Sequence, residues 1–217
     1  MRIIRSNLEV LEPYMSGDPV EYRRSEQKYS SKRTAVNGKQ GKTPKLFKMV
    51  SWKSGTINLD YGGGTIESDA VADVFFEGKG VTNVIYDIGN FDDNHNNAVI
   101  RYLKANGGAD TATLSNVLNV IMEKNVRHEI LENIYDWLKP NGILYIYGYE
   151  GPKEDIGKGG KVKGKDQDQY QTNMRTSEYL PEIAEVFPNY TFKNGLITCK
   201  KTNVSASRGF NAGLITI

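Results

Sequence analysis

Short apolar segments alternate with amphipathic ones from residue 56 onward. Residues 56–60 and 81–87 favour strands, and residues 68–76 between them place apolar side chains on one helical face. Strands and helices that alternate in this way are typical of a parallel sheet with helices on both faces. The pattern therefore predicts an α/β fold.

The alternation continues through the middle of the chain. It predicts a helix over 96–105, a strand over 111–115 and an amphipathic helix over 125–138. Pro140-Asn141-Gly142 is expected to end that helix. A strongly apolar strand over 143–147 follows, as expected in the middle of a sheet.

The last part of the predicted domain contains a polar segment, a helix and a hairpin. Residues 150–173 carry five glycines and five lysines and almost nothing apolar, so they predict an exposed loop. A helix is predicted over 177–187 and an antiparallel hairpin over 190–200. Asn194-Gly195 suits the tight turn of that hairpin, because both residues tolerate positive backbone angles.

Three regions are predicted along the chain. Residues 1–50 form a basic, partly irregular extension, residues 51–201 the main domain, and residues 202–217 a flexible tail. We expect residues 12–46 to contribute little to the core, because their apolar residues are sparse.

The charge is distributed unevenly. The 217 residues carry a net charge of +2, but residues 1–50 contain eleven Lys and Arg against five Asp and Glu, and the remainder is acidic. The basic segment therefore either stays solvated or contacts phosphates. We expect a soluble, cytoplasmic protein, because Cys199 has no partner in the chain and no apolar run approaches the roughly 20 residues that span a bilayer.

A carboxylate and three glycines follow one another where the first predicted strand ends, in Asp60-Tyr61-Gly62-Gly63-Gly64. Glycines let the backbone pass close to a ligand. A dinucleotide turn would need a third glycine where Glu67 stands, and Asp60 would repel a pyrophosphate. S-adenosylmethionine instead brings an ammonium and a sulfonium, which a carboxylate attracts.

A second acid, Asp87, ends the next predicted strand. A carboxylate at this place can accept both hydroxyls of a ribose. The two acids therefore favour an adenosine ligand that carries positive charge.

These motifs resemble those of class I S-adenosylmethionine-dependent methyltransferases. Asp60 to Gly64 resembles their first motif and Tyr86-Asp87 their second. Residues 109–121 are similar to their fourth-strand segment and residues 138–144 to the turn before their fifth strand. The Asn-Val-Leu-Asn-Val-Ile segment within 116–121 also resembles small methyltransferases encoded by bacteriophages or associated with DNA phosphorothioation.

The resemblance implies a Rossmann-like class I methyltransferase sheet, mostly parallel with a C-terminal antiparallel hairpin, and S-adenosylmethionine as the cofactor. It assigns the methionine part, the ribose, the adenine face and the end of the fourth strand to nine positions. These cofactor-binding candidates are Asp60, Tyr61, Gly62, Gly63, Gly64, Asp87, Ile88, Ser115 and Asn116. For Asn116 a helix N-cap is the alternative, and for Asp60 a structural role in the turn.

The sequence departs from the family pattern in two ways. The interval between Asp87 and Asp110 is too short for a helix, a strand and a second helix, so the third strand is short or missing. Ser115-Asn116-Val117-Leu118 lacks the prolines and the aromatic ring with which DNA amino-methyltransferases hold their base. Cys199 lies in a predicted hairpin strand and is expected to be a core residue rather than a nucleophile.

No catalytic residue follows from the sequence, and no metal site is expected. The two histidines, His95 and His128, lie far apart without paired cysteines, and we expect His95 to be a polar surface residue. The acceptor is expected to be a nucleic acid or another anionic molecule, contacted by the basic N-terminal segment and by residues 151–165. That second segment is alternatively a solvated loop.

Two other classes of protein stay open. One is a binding or structural module that keeps the fold without the reaction. The other is a nicotinamide-dependent enzyme, which Asp60 and the absence of the third glycine oppose.

Overall fold

The computed structural model describes residues 6–31, 41–163 and 167–202. The predicted flexible tail lies almost entirely outside them, as does Lys165. Eight strands are present among the described residues: β1 (Ile57–Tyr61), β2 (Thr82–Tyr86), β3 (Ala109–Ser115), β4 (Leu138–Tyr147), β5 (Lys161–Lys163), β6 (Gln169–Gln171), β7 (Tyr190–Lys193) and β8 (Leu196–Lys200).

The α-helices of the described residues are α1 (Ser6–Leu11), α2 (Lys45–Met49), α3 (Ile66–Glu77), α4 (Asp93–Ala105), α5 (Lys124–Trp137) and α6 (Leu180–Val186). Short 3-10 turns lie at Glu12–Tyr14, Leu118–Val120, Lys153–Asp155 and Thr176–Tyr179. None of the helices in the described ranges is both long enough and apolar enough to cross a membrane.

Six strands form one sheet in the order β2-β1-β3-β4-β8-β7. β1 pairs with β2 and β3 in parallel, β3 pairs with β4 in parallel, and β8 pairs antiparallel with β4 and β7. This topology confirms the predicted α/β fold, with a mostly parallel sheet and a C-terminal antiparallel hairpin. Asn194 and Gly195 form the hairpin turn with φ values of 54° and 79°, as the sequence predicts.

The prediction that the third strand of the family pattern is short or missing is also confirmed. After β2 the chain makes a tight turn and enters α4 directly, and β3 begins where α4 has ended. All residues of this interval are described, and none of them forms a strand.

Apolar side chains on the two faces of the sheet form two clusters. On one face, strand residues such as Leu59 and Leu114 pack with residues of α4, α5 and α6. On the other face, Ile85 packs with Phe76 of α3 and Phe47 of α2. The helices therefore cover both faces, as a parallel sheet requires.

The segment Pro140-Asn141-Gly142 does not end a helix as predicted. α5 already ends at Trp137, and all three residues lie inside β4. The pairing of β3 with β4 shifts register between Ala109 and Thr111, so the extra residues bulge out of the ladder. Asn141 has a φ of 63°, which explains why a turn-forming residue stands within this strand.

The polar segment 150–173 is more ordered than predicted. It contains the antiparallel pair β5 and β6, and Gln169 and Thr172 are buried. The backbone nitrogen of Thr172 donates to the carbonyl of Asn119 at 2.8 Å, which ties β6 to the turn after β3. The prediction of an exposed loop is therefore wrong for its C-terminal part, because backbone hydrogen bonds rather than apolar residues hold it.

The N-terminal segment contributes more to the core than expected. Leu46 has 0% and Phe47 1% of its surface exposed. Both belong to a short stretch in which lysines surround the apolar pair, so their burial was hidden by the polar composition. The division of the chain at residue 50 stays a prediction.

We predict that Phe47→Ala destabilises the whole domain, because the Phe47 ring contacts the rings of Trp52, Phe75 and Phe76. The free energy of unfolding, measured by chemical denaturation, should fall by about 3 to 5 kcal/mol. Val74→Ala is the matched control, since Val74 is 74% exposed on the neighbouring helix. Equal stability of the two variants would show that α2 is not part of the core.

Candidate functional site

One cleft opens where β1, β2 and β3 end. Its lining includes all nine residues that the sequence identifies as cofactor-binding candidates. They are Asp60, Tyr61, Gly62, Gly63, Gly64, Asp87, Ile88, Ser115 and Asn116. Residues that lie up to 56 positions apart in the sequence are thus brought together, because parallel strands end at the same edge of a sheet.

The glycine turn is tightly packed against the protein itself. Gly62 and Gly64 have φ values of 75° and 97°, which a side chain would strain. A β-carbon on Gly62 would stand 2.6 Å from Cγ2 of Val117, and one on Gly63 would stand 2.7 Å from Cγ2 of Ile85. Glycine is therefore needed at these two positions in part because side chains of the protein itself, Val117 and Ile85, pack against the turn.

Asp60 lies at the end of β1 with only 3% of its surface exposed. The hydroxyl of Thr113, on the neighbouring strand β3, donates to Oδ1 of Asp60 at 2.7 Å. Asn58, Asn83 and Thr111 continue a ladder of side-chain hydrogen bonds across the same face. This ladder fixes the carboxylate at the edge of the cleft and offsets part of the cost of its burial.

Asp87 accepts four hydrogen bonds from its own chain. Oδ1 accepts from the backbone nitrogens of Gly89 at 2.8 Å and Asn90 at 3.1 Å. Oδ2 accepts from the backbone nitrogen of Gly64 at 2.9 Å and from Nδ2 of Asn90 at 3.1 Å. Burial raises the pKa of the Asp87 carboxyl above its usual value, and these hydrogen bonds oppose that shift.

The backbone of Asp87 is held as firmly as its side chain. Oδ1 of Asn96 accepts from the Asp87 nitrogen at 3.0 Å, and Nδ2 of Asn96 donates to the Asp87 carbonyl at 3.3 Å. Sequence reasoning missed Asn90 and Asn96, although the density of asparagines between 90 and 97 was the signal. Asparagine side chains commonly hydrogen-bond the backbone of nearby turns.

His95 is not at the surface, contrary to the prediction. It is 6% exposed, its ring stacks on Phe91 at 4.1 Å, and Nε2 lies 2.8 Å from the carbonyl of Ile85. The backbone nitrogen of His95 is capped by Asp92 at the start of α4. His95 therefore fastens the helix to the end of β2 rather than facing a substrate.

Asn116 follows β3 in a left-handed conformation with a φ of 60°. Its backbone nitrogen donates to the carbonyl of Tyr147 at 2.9 Å. Its Oδ1 is buried and accepts no hydrogen bond from the residues that the structure describes. The N-cap alternative is wrong, because Val117 occupies the cap position of the next turn.

Tyr61, the last residue of β1, and Ile88, which follows β2, have different surroundings. The ring of Tyr61 packs against Tyr86 and Trp137, and burial raises the pKa of its phenol. Ile88 is partly buried and packs against the main core. Tyr61 therefore supports the wall, whereas Ile88 offers an apolar surface beside Asp87.

An aliphatic wall faces the polar strand ends. It is formed by the turn after β3 and by α5, and its residues are between 3% and 8% exposed. They are Val117, Val120, Ile121, Val126 and Ile130. The cleft thus combines two carboxylates with a largely apolar wall.

The N-terminal segment completes the cleft from outside. Its lining residues there are Arg23, Arg24, Ser25, Gln27, Ser31, Lys42, Pro44 and Phe47. Asn133 of α5 binds the backbone of Arg23 at both its nitrogen and its carbonyl, at 3.3 and 2.7 Å. Glu129 accepts from the backbone nitrogen and the hydroxyl of Ser25 at 2.8 and 2.6 Å.

Both arginines of this segment are paired with carboxylates of the domain. Arg23 contacts Asp136 at 2.7 Å and Glu132 at 3.2 Å, and Arg24 contacts Asp93 at 2.8 Å. Much of the positive charge at the cleft is therefore balanced within the chain.

We predict that Cys199 is unreactive in the folded protein. Its side chain is fully buried in β8, and burial raises the pKa of the thiol to about 12. An aromatic disulfide reagent should label Cys199 only after denaturation, because the thiolate is the reacting form. Labelling of the native protein at the rate of a free thiol would contradict its place in the core.

The chain matches no protein-family model and no curated protein sequence. Solved methyltransferase structures resemble its fold at low sequence identity. Human N-acetylserotonin methyltransferase, in complex with S-adenosylmethionine, is 17% identical with a TM-score of 0.48, over 77% of this chain and 52% of its own. This chain thus spans about half the length of the human enzyme.

A second similar structure is the 1,6-didemethyltoxoflavin N1-methyltransferase of Burkholderia thailandensis, with bound 1,6-didemethyltoxoflavin and S-adenosylhomocysteine. It is 14% identical with a TM-score of 0.48 and 80% of each chain covered.

Proposed function

We propose that this chain is an S-adenosylmethionine-dependent methyltransferase. The observation that carries the proposal is the buried carboxylate of Asp60, held at the end of β1 beside the glycine turn in a cleft that also contains Asp87. A carboxylate in a poorly solvated place interacts strongly with a cation. It suits the ammonium of the methionine part better than it suits a phosphate.

The lining residues fit the parts of this cofactor. Asp60 and the turn Gly62-Gly63-Gly64 would hold the methionine part, Asp87 the ribose and Ile88 the adenine face. Asn116 offers a buried hydrogen-bond acceptor to the cofactor, since its Oδ1 has no partner among the described residues. When bound, the cofactor supplies a methyl group on a sulfonium.

The residues of the chain then act by orientation and by excluding water. The aliphatic wall, from Val117 to Ile130, keeps the reacting end of the cleft apolar. Methyl transfer gains much of its rate when the nucleophile is held in line with the sulfonium. Neither Asp60 nor Asp87, the two buried carboxylates, makes a contact that indicates a proton transfer, so the proposal includes no general base.

We propose that the molecule that accepts the methyl group is a nucleic acid or another anionic molecule, and that it contacts the β5–β6 hairpin. Lys153, Lys158, Lys161 and Lys163 are exposed. The turn Leu118–Val120, to which β6 is tied, contributes Val120 to the cleft. Lys161 and Lys163 lie on β5, which pairs with β6, so this part of the chain is connected to the cleft. Lys158 is paired with Asp155, and Arg23 and Arg24 are paired with carboxylates of α4 and α5.

A non-catalytic module with the same fold is the second candidate. It is favoured by Asp87, whose carboxylate is fully engaged by Gly64, Gly89 and Asn90 of its own chain. In such a module the acid would serve only to hold the turns after β1 and β2. Binding of S-adenosylmethionine or its demethylated product separates the two candidates.

We predict that Asp60→Asn weakens the binding of S-adenosylmethionine by about 1 to 3 kcal/mol, the range for a hydrogen bond to a charged group. Asparagine keeps the oxygen that accepts from Thr113 but removes the negative charge. Isothermal titration calorimetry measures the affinity. The control is Glu77→Gln, which removes an exposed carboxylate at the far end of α3.

Two results would count against this assignment. If the folded wild type binds neither S-adenosylmethionine nor S-adenosylhomocysteine, the non-catalytic module is the better description. If it binds and Asp60→Asn binds equally well, the cation is held elsewhere in the cleft.

We predict that Lys161→Gln/Lys163→Gln reduces the salt dependence of binding to a single-stranded oligonucleotide. Each lost phosphate contact lowers the slope of log affinity against log salt by about 0.7. Fluorescence anisotropy over a salt series measures the slope. Lys53→Gln/Lys79→Gln, which removes the same charge from exposed positions elsewhere, is the control, and equal slopes in both variants would oppose the hairpin as the contact.

A further inference from the structure

The carboxylate of Asp87 has no acceptor capacity left for a ligand in this structure. A carboxylate has about four lone-pair sites. Four donors already occupy Asp87, namely three backbone nitrogens and the Nδ2 group of Asn90. A ligand hydroxyl can therefore bind only where one of these donors leaves.

The three backbone donors cannot leave without unfolding a turn. The nitrogens of Gly89 and Asn90 belong to the turn after β2, which is closed by a bond from the Phe91 nitrogen to the Asp87 carbonyl at 3.0 Å. The nitrogen of Gly64 belongs to the turn that opens α3. The backbone of Asp87 is itself clamped by Asn96.

The fourth donor differs from the others because it stands on a side chain. Asn90 lines the cleft beside Asp87, and a rotation of its side chain moves Nδ2 away from Oδ2 while the backbone bond to Oδ1 remains. Asn90 is thus the replaceable partner of the carboxylate.

We propose that the side-chain amide of Asn90 occupies on Asp87 the place of a ribose hydroxyl and is displaced when a ligand with a vicinal diol enters. Asn90 is then a positioning residue that sets the affinity for the ribose. It preserves the hydrogen bonding of the buried carboxylate when the cleft holds no nucleoside. The identity of the ligand rests on the proposed function.

Asn90→Ala tests the displacement. Removing the competing amide should tighten the binding of S-adenosylhomocysteine up to about tenfold, because the ligand no longer has to break a hydrogen bond to a charged group. Affinity for 2′,3′-dideoxyadenosylhomocysteine, which has no diol, should stay unchanged. Calorimetry with both compounds measures the difference.

A second readout needs no ligand. The pKa of the Asp87 carboxyl, followed by carbon NMR, should rise in Asn90→Ala. In the wild type, the hydrogen bond that the Asn90 side-chain amide donates to the carboxylate lowers this pKa. Asn94→Ala is the matched control, because Asn94 is exposed in the first turn of α4. If Asn90→Ala folds poorly, Asn90→Gly keeps a turn-forming residue without a side-chain donor and gives the same comparison.

The outcomes are distinguishable from a failure of the proposed function. If the wild type binds and Asn90→Ala changes the affinity for both compounds equally, the displacement alone is overturned. The same holds if Asn90→Ala binds S-adenosylhomocysteine more weakly than the wild type does. If no protein binds either compound, the proposed cofactor is wrong, and the ribose is no longer the group that displaces Asn90. An unaltered Asp87 pKa in Asn90→Ala overturns the placement of the amide itself.

Discussion

The cleft depends on the pairing of β1 between β2 and β3 in parallel register. Asp60 lies opposite Ile85 on one side and Thr113 on the other. Because the three strands end together, the turns that follow them meet at one edge of the sheet. The cross-strand hydroxyl of Thr113 then donates to the buried carboxylate, so the sheet register also fixes the position of this side chain.

Much of this arrangement could be predicted because it depends on short local patterns. The glycine turn after Asp60, the acid at the end of β2 and the Asn194-Gly195 hairpin are each encoded within a few residues. The contacts that escaped prediction join distant parts of the chain. Asn133 binds the backbone of Arg23, 110 positions away, and no local pattern indicates such a pair.

Polar contacts over medium range were equally hidden. The asparagines after β2 indicated only a turn, whereas Asn90 and Asn96 hold the side chain and the backbone of Asp87. The β5–β6 pair is held by its backbone, which leaves little trace in the hydrophobic pattern. Periodicity reports which face is buried, and it says little where hydrogen bonds rather than apolar area decide the structure.

The uneven charge of the sequence has a local explanation and a consequence. Arg23 and Arg24 bind carboxylates of α4 and α5, so basic extension and acidic domain partly neutralise one another. Exposed ion pairs of this kind stabilise by only about 0 to 1 kcal/mol each. Together with the hydrogen bonds that Asn133 and Glu129 make to its backbone, they hold the segment at the outside of the cleft. The short connection after β2 makes one of these ion pairs possible. Because no strand lies between β2 and α4, the helix starts directly beside Asp87 and brings Asp93 within 2.8 Å of Arg24.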